Sequence, residues 1–424
     1  PQPQQDAPAF TVETAPAPIG DSEDGPALIY DLFSYLIFLH IHDLRLHADG
    51  RLARPGLAGL GARLTDPDPR RLNFLRHLAR HMGFVTREGK HLRLQSAPAK
   101  RWLMASPARQ LADLQAAWRD DPTWKDLCQV PSLECDQETG WYLHHDAMAA
   151  RARLFALLAR CPQEEWWSLT SFITAVKEHD PDFLRPDGDY DSWYIRDAAD
   201  GQYLSGFESW DRVEGALVAD LLTGPLHWLG IVATVVDAVP PACRLTRAGA
   251  RFLGLVSDEP EAQPSPPIVV RPDFSIELPA PANLYTRFQL VRFADPKKRV
   301  PCRYTLSAGG LGRALAREIH VEQILAFLQQ AGEAPIPANV AGQLRLWAGR
   351  FGQVKLEEVA LLTVKSERAL RELSVLPETR AFLGQALSST SVLVAKENLP
   401  RLRRALRALG FLSSPPDEPA EEAP

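Results

Sequence analysis

The sequence predicts a helix-rich α+β chain: two successive helix-plus-hairpin modules followed by a further α+β domain. Three observations carry that prediction. Apolar residues recur at helical spacing and then give way to short alternating runs, once over residues 26–100 and again over 149–256. A Pro-rich break, SDEPEAQPSPP from Ser257 to Pro267, divides those modules from the C-terminal portion of the chain. The length of 424 residues suits two or three domains.

Residues 1–25 are rich in proline and acid, lack a periodic pattern and are expected to be disordered, as is the acidic tail 413–424. The first module opens on ALIYDLFSYLIFLHIHDL from Ala27. Asp31, His40 and Asp43 interrupt this run, so it reads as a buried helix and not as a membrane span of ~18–20 apolar residues. RRLNFLRHLARHMG from Arg70 puts Leu72, Leu75, Leu78, Ala79 and Met82 on one helical face, with Gly83 as C-cap. FVTREGKHLRL then alternates about Glu88-Gly89-Lys90, as a short hairpin does. Helices followed by a two-stranded wing describe a winged-helix module, a variant of helix-turn-helix.

The connector, 101–148, contains ARQLADLQAAWRDDPTWKDL, helical in pattern and expected to brace the modules. The second module runs from ARARLFALLA through WWSLTSFITAVKEH and SWDRVEGALVADLL to two apolar strand-like runs around Pro240-Pro241. It is again a helix-plus-wing order. No repeat of the solenoid type occurs.

Charge separates the two modules. The net charge of −6 hides nine bases between Arg70 and Arg101 (Arg70, Arg71, Arg76, Arg80, Arg87, Lys90, Arg93, Lys100 and Arg101) against Glu88 alone. Arg76 and Arg80 are four apart and share a side of their helix, while Arg87, Lys90 and Arg93 decorate the wing. Those two elements are the ones a winged helix sets against a duplex, so Arg70, Arg71, Arg76, Arg80, Arg87, Lys90 and Arg93 are the candidate DNA-binding residues. A solvated arginine face is the plainer alternative. From Glu164 to Asp220, fourteen acids face four bases. Such a surface repels phosphate and suits protein contact, with Trp166, Trp167, Trp193, Trp210 and Trp228 as core residues or interface anchors.

Nine lysines against 38 arginines, with abundant Ala, Pro and Leu, suggest a GC-rich bacterial genome, although arginine excess also suits bidentate phosphate contacts. The five cysteines, Cys128, Cys135, Cys161, Cys243 and Cys302, form no CxxC. They are expected to be reduced thiols of a cytoplasmic protein. The N-terminus PQPQQDAPAF has neither basic region nor apolar core, so no secretory signal is expected, and its initial Pro suits a trimmed chain.

Several motifs fail on inspection. GFVTREGKH from Gly83 places five residues between its glycines and His91 where a phosphate loop needs Ser or Thr. Asp187, Asp189 and Asp191 have calcium-loop spacing, but Ser192 and Ala198 replace the turn glycine and the bidentate glutamate. His77 and His81 are flanked by arginines, which disfavour a metal, and His40, His42, His144 and His145 have no supporting ligands. No nucleophile motif is present. Neither cofactor nor metal is expected, and the chain reads as a non-enzyme.

The domain at 268–412 carries more specific wording: VRPDFSIEL (Val270–Leu278), YTLSAGGL (Tyr304–Leu311), ILAFL (Ile324–Leu328), PIPANV (Pro335–Val340) and FGQVKL (Phe351–Leu356). These five pieces, in this order, resemble the N-terminal domain of the XPB family of DNA helicases, which also occurs in bacterial helicase-associated proteins. The chain departs from that pattern at Gly310, where the family tends to serine, and at Glu318-Ile319-His320, where a glycine and a capping Ser or Thr are commoner; both changes bear on helix capping. The resemblance implies docking to a helicase or translocase ATPase. Winged helices followed by this domain are similar in plan to the TFIIH subunit that partners XPB. The closing helix adds a second basic site, Arg401, Arg403, Arg404 and Arg407.

The expected function is therefore a non-catalytic DNA-binding adaptor, contacting duplex or junction DNA and a helicase-type partner, with no membrane contact. A stand-alone winged-helix transcription regulator is the alternative, and an accessory part of a helicase whose ATPase lies on another chain is a second. Purified protein should show no intrinsic ATP turnover. A phosphate-release assay giving rates on the order of 1 per second, ordinary for an enzyme, would overturn that.

Overall fold

The apolar run from Ala27 forms α1 (Gly25–Ile41), which buries Leu28, Leu32, Tyr35, Leu36 and Leu39 and is buried over most of its circumference, with Tyr30 exposed. The computed structural model describes residues 10–17, 25–42, 44–47, 52, 54–135, 146–185, 187–257, 264–279, 283–297, 302–354 and 358–411. The fold is mixed α+β with small antiparallel sheets, in two compact units, Pro1–Ala348 and Gly349–Pro424. No helix among the described residues is long and apolar enough to cross a membrane. The expected tail 413–424 and the pair His144-His145 lie outside the described residues.

In the first unit α1 is followed by α2 (Arg54–Gly61), α3 (Pro69–His81), the hairpin β1 (Val85–Glu88) and β2 (His91–Leu94), and then α4 (Ser96–Met104) and α5 (Pro107–Arg119). Asp68 caps α3 by accepting from Arg70 N at 2.8 Å, with Pro69 pre-set for the first turn. The hairpin turns at Gly89, whose φ of 60° belongs to the left-handed region.

The connector continues to β3 (Leu133–Cys135). Cys128 and Cys135 are joined as a disulfide here, which corrects the expectation of reduced thiols at this pair. The turn between them brings their Cα atoms to 5.6 Å, inside the range that a disulfide bridges. Cys161 and Cys243 are buried thiols, and burial pushes each up to about 12.

The second module comprises α6 (Ala147–Leu158), β4 (Trp166–Ser168), α7 (Leu169–His179), β5 (Ile195–Asp197), α8 (Ala216–Thr223), α9 (Pro225–Trp228), β6 (Val232–Val235), β7 (Ala242–Leu245) and α10 (Arg247–Phe252). Its sheet runs β4-β7-β6, and β5 pairs with β3. Residues 10–17 overturn part of the expected tail. Ala15 N donates to Trp166 O and Ser168 N to Glu13 O, both at 2.8 Å, adding an edge to this sheet. Phe10 is buried against Phe172, and Arg160 lies over its ring. One aromatic side chain in a Pro-rich stretch thus supplies the burial that its composition concealed.

Beyond the Pro-rich segment come β8 (Val269–Val270), β9 (Ser275–Glu277), α11 (Leu284–Phe293), β10 (Ala294–Pro296), β11 (Arg303–Leu306), α12 (Ala308–Leu315), α13 (Val321–Ala331) and α14 (Ala338–Arg350). The sheet order is β10-β11-β9-β8, with Tyr304 opposite Ile276. Helix α11 has two apolar sides. Leu290 and Phe293 enter the core of this sheet, whereas Leu284 and Phe288 join the core built on α1. The departures noted at Gly310 and Glu318–His320 have local causes. A Cβ on Gly310 would stand 2.5 Å from Phe293 O, so no side chain fits where α12 meets α11. Glu318 takes φ 62°, the region a glycine favours, and His320 N donates to Gln323 Oε1 at 3.1 Å at the start of α13.

The second unit is a sheet of β12 (Val359–Thr363), β13 (Ala386–Ser388) and β14 (Ser391–Ala395), ordered β12-β14-β13, with α15 (Glu367–Val375), α16 (Pro377–Arg380) and α17 (Leu399–Ala408). Val392 and Val394 are buried, as are Leu370 and Leu373 of α15 and Leu402 of α17.

One buried ion pair ties the connector to α6. Arg151 donates from Nε to Asp126 Oδ2 at 2.8 Å, from Nη1 to Trp118 O at 2.6 Å and Asp121 O at 2.7 Å, and from Nη2 to Trp124 O at 2.8 Å. Removing one member strands the other in the interior, so Arg151→Ala should cost about 3–5 kcal/mol, read as a lowered urea midpoint. A midpoint within error of the parent would show that this pair does not hold the unit together.

Candidate nucleic-acid interface

Helix α3 was expected to present its basic residues outward. Leu72, Phe74, Leu75, Leu78 and Ala79 are buried as its periodicity requires. The polar side chains are mostly drawn into tertiary contacts. Arg71, among the candidate DNA contacts, is a correction: it is 2% exposed and pairs with equally buried Asp31 at 3.0 Å. Arg76 is half-buried and hydrogen-bonds the Tyr35 side chain on α1. Arg70 pairs with Asp220 of α8 and lies over the Trp228 ring at 5.9 Å. Asn73 Nδ2 donates to Gln129 Oε1 at 3.3 Å, and His77 Nε2 meets the Asp121 carboxylate, with His81 Nδ1 3.5 Å from the same oxygen. Burial opposes ionisation of Asp121, but hydrogen bonds from Thr123 and His77 overcome it and hold the carboxyl at about 2. Of the four candidate arginines on α3, Arg80 is the exposed one at the helix surface, apart from the part-exposed Arg70.

The hairpin is different: Arg87, Lys90 and Arg93 are all exposed. Register then sorts them. Thr86 lies opposite Arg93 and Glu88 opposite His91, so these four share one face. Arg87 lies opposite buried Leu92, on the other face, and its Nε donates to Gly89 O at 2.8 Å. Residues 44–46 add a third strand-like edge, with Arg45 bridged to His91, Leu46 N donating to Lys90 O at 2.7 Å and Leu92 N to Leu44 O at 3.1 Å. Arg45 therefore joins Arg93 and His91 on one face, against Glu88, whose carboxylate is 3.7 Å from Arg93. Sequence reasoning missed Arg45, whose signal was the short alternation Leu44-Arg45-Leu46-His47.

In the second unit, α17 buries Leu402 and exposes Arg401, Arg403, Arg404 and Arg407. At 100° per residue, 401 and 404 form one row and 403 and 407 the next. None of the four has an ion pair among the described residues. The structure thus yields two basic surfaces, one in each unit. The acidic module keeps exposed Asp187, Asp189, Asp191, Asp200 and Glu208. No group of three or more potential metal ligands occurs among the described residues.

Residues 268–388 match a family model described as a helicase conserved C-terminal domain. That stretch is thus of helicase C-terminal type and helicase-related. It covers a little over a quarter of the chain, from β8 to β13. No curated protein matches the chain.

Asp220 supplies a pH signature for the contact between α3 and α8. Burial pushes its carboxyl up to about 6, with the Arg70 charge acting the other way. A carboxyl raised in the folded state holds its proton where the unfolded chain has lost it. Its stabilising contribution is full below about pH 4 and is lost as pH rises through about 6. Asp220→Asn should flatten that fall by roughly 2–3 kcal/mol, measured as urea stability against pH between 4 and 7. An unchanged profile would assign the fall to another group.

Proposed function

We propose that this chain is a non-catalytic accessory protein that binds duplex or junction DNA and docks an XPB-type helicase or translocase ATPase. The observation that carries the reading is the helicase C-terminal-type stretch at 268–388, flanked in the chain by two sets of exposed basic residues. The sequence resemblance to the XPB N-terminal domain supports the choice of partner. The helix-plus-hairpin order of the first module supports a winged-helix reading, with the wing and not α3 as the main DNA contact. Arg45, Lys90 and Arg93 then meet the phosphate backbone with Arg80 and Arg87 beside them, and Arg401, Arg403, Arg404 and Arg407 provide the second basic site. Such contacts set affinity and leave sequence choice open.

Salt dependence separates the surfaces. Each phosphate contact contributes about −0.9 to the slope of log K against log salt on duplex DNA. Arg45→Glu with Arg93→Glu should weaken duplex binding across all sequences and flatten the slope by about two units, read by fluorescence anisotropy. Asp187→Ala with Asp189→Ala should leave affinity unchanged. If Arg401→Glu with Arg404→Glu abolishes binding while the hairpin pair has no effect, the DNA site belongs to α17. Unaltered binding in both pairs would end the DNA reading.

A further inference from the structure

A cavity of about 250 Å3 lies where the end of α1, the start of α4 and one side of α11 meet. Its polar lining is His40, Ser96, Lys100, Tyr285, Gln289 and Arg292, and no carboxylate is among the described residues that form it. Lys100 Nζ stands 5.3 Å from the centre of the Tyr285 ring. Arg292 donates from Nη1 to Gln289 Oε1 at 2.6 Å, a neutral acceptor on its own helix. Arg292 Nε and His40 Nε2 are buried without a hydrogen-bond partner among the described residues. A further cation stands close by, since Arg317 donates to Ile41 O at 2.5 Å, one residue beyond His40.

The larger groove along α5, about 590 Å3, makes the contrast. There two of the lining arginines have counter-charges: Arg109 pairs with Asp113 at 2.8 Å and Arg119 with Asp120 at 2.7 Å. At the α1–α4–α11 cavity the charged neighbours among the described residues are cations. Burial, then the charges of Arg292 and Arg317, lower His40 to about 4. Burial also pulls Arg292 below its ordinary value, Tyr285 opposing and Arg317 adding to the effect. Arg292 is part-buried with no anion against it among the described residues, Lys100 stands at the exposed rim, and an oxyanion supplies both the counter-charge and the acceptors. Ser96 opens α4, so the positive end of that helix dipole adjoins the cavity as well.

We infer that this cavity binds a phosphate-type oxyanion, gripped by Lys100 and Arg292 with Ser96, Tyr285 and Gln289 as neutral partners. The inference does not rest on the nucleic-acid reading. A phosphate group of that kind comes either from free phosphate or from a nucleic acid, and the experiment separates these sources.

The test is isothermal titration of the full chain with inorganic phosphate, beside melting temperatures in phosphate and in chloride at matched ionic strength. Saturable binding is expected, with a melting temperature that climbs with phosphate concentration beyond the chloride value. Lys100→Gln with Arg292→Gln should weaken phosphate binding at least tenfold, while Arg101→Gln, exposed beside the cavity, should leave it unchanged. Should the double variant fail to fold, Lys100→Gln alone, at a surface-exposed position, still reports the loss. Oligonucleotides with and without a 5′-phosphate identify the source. Loss confined to the phosphorylated strand marks a terminal phosphate, equal loss on both marks the backbone, and loss of inorganic phosphate alone marks the free ion. Phosphate acting no differently from chloride, or the Lys100 and Arg292 variants binding phosphate as tightly as the parent, overturns the inference.

Discussion

The guanidinium of Arg151 fixes the segment from Trp118 to Asp126, and that segment decides what α3 is able to present. Its donors reach four backbone carbonyls and one carboxylate, with Nη2 also 2.7 Å from Asp126 Oδ2. A planar fork with five donors is suited to such a junction, where a lysine would leave carbonyls unsatisfied. Burial pushes the Asp126 carboxyl up, and Arg151 acts against that push. With the connector so placed, Asp121 meets His77 and His81, and Gln129 meets Asn73. Arg70 and Arg71 are taken by Asp220 and Asp31 from other elements. A helix that looks like a groove reader in sequence is thus engaged along most of its polar surface.

This explains which parts of the structure were legible in the sequence. The helix over 70–81 and the hairpin over 84–94 rest on periodicity and on a turn glycine, which act within a few residues and are visible in a string. The fate of Arg71 rests on Asp31, forty positions away, and that of Arg70 on Asp220, 150 positions away. Partners at those separations leave no periodic trace. Charge counting treated all nine bases between Arg70 and Arg101 alike, although burial divides them sharply. The same blindness hid Phe10, a lone aromatic residue in a Pro-rich stretch whose seat on Phe172 is formed by the second module. The capping changes were the opposite case. Glu318 and His320 departed from a familiar pattern, and their left-handed φ and helix-start hydrogen bond are local enough to be anticipated.

Opposite charge on the two modules also gains a physical meaning. Part of the apparent polarity is internal, because Arg70 of the basic module and Asp220 of the acidic one neutralise each other. Arg185 and Glu214, both buried, do the same inside the second module. Surface potential, which governs encounter with phosphate, belongs to the remainder. That remainder includes Arg45, Arg80, Arg87, Lys90, Arg93, Lys100 and Arg101 in the first unit and the α17 arginines in the second, with the exposed aspartates of 187–200 as a repulsive counterpart. A net charge of −6 is therefore no obstacle to nucleic-acid contact, since the charges are segregated over distances that salt screens to about 8–10 Å.

Helix α11 is where the part of the helicase-type stretch that lies in the first unit packs on the first module. Its Leu284 and Phe288 belong to the core around α1, and its Leu290 and Phe293 to the core of the four-stranded sheet. Arg287, between these sets, lies over Tyr30 and Phe33 at 5.5 and 5.1 Å. Aromatic faces attract a guanidinium without neutralising it. Such contacts hold the helix in place yet leave the positive charge of this seam uncompensated. Arg292 comes five positions later, with Gln289 as its hydrogen-bond partner and Arg317 as a repelling neighbour. Apolar burial therefore joins the two cores while their shared boundary stays electropositive, and any anion that enters there contacts both halves of the first unit at once.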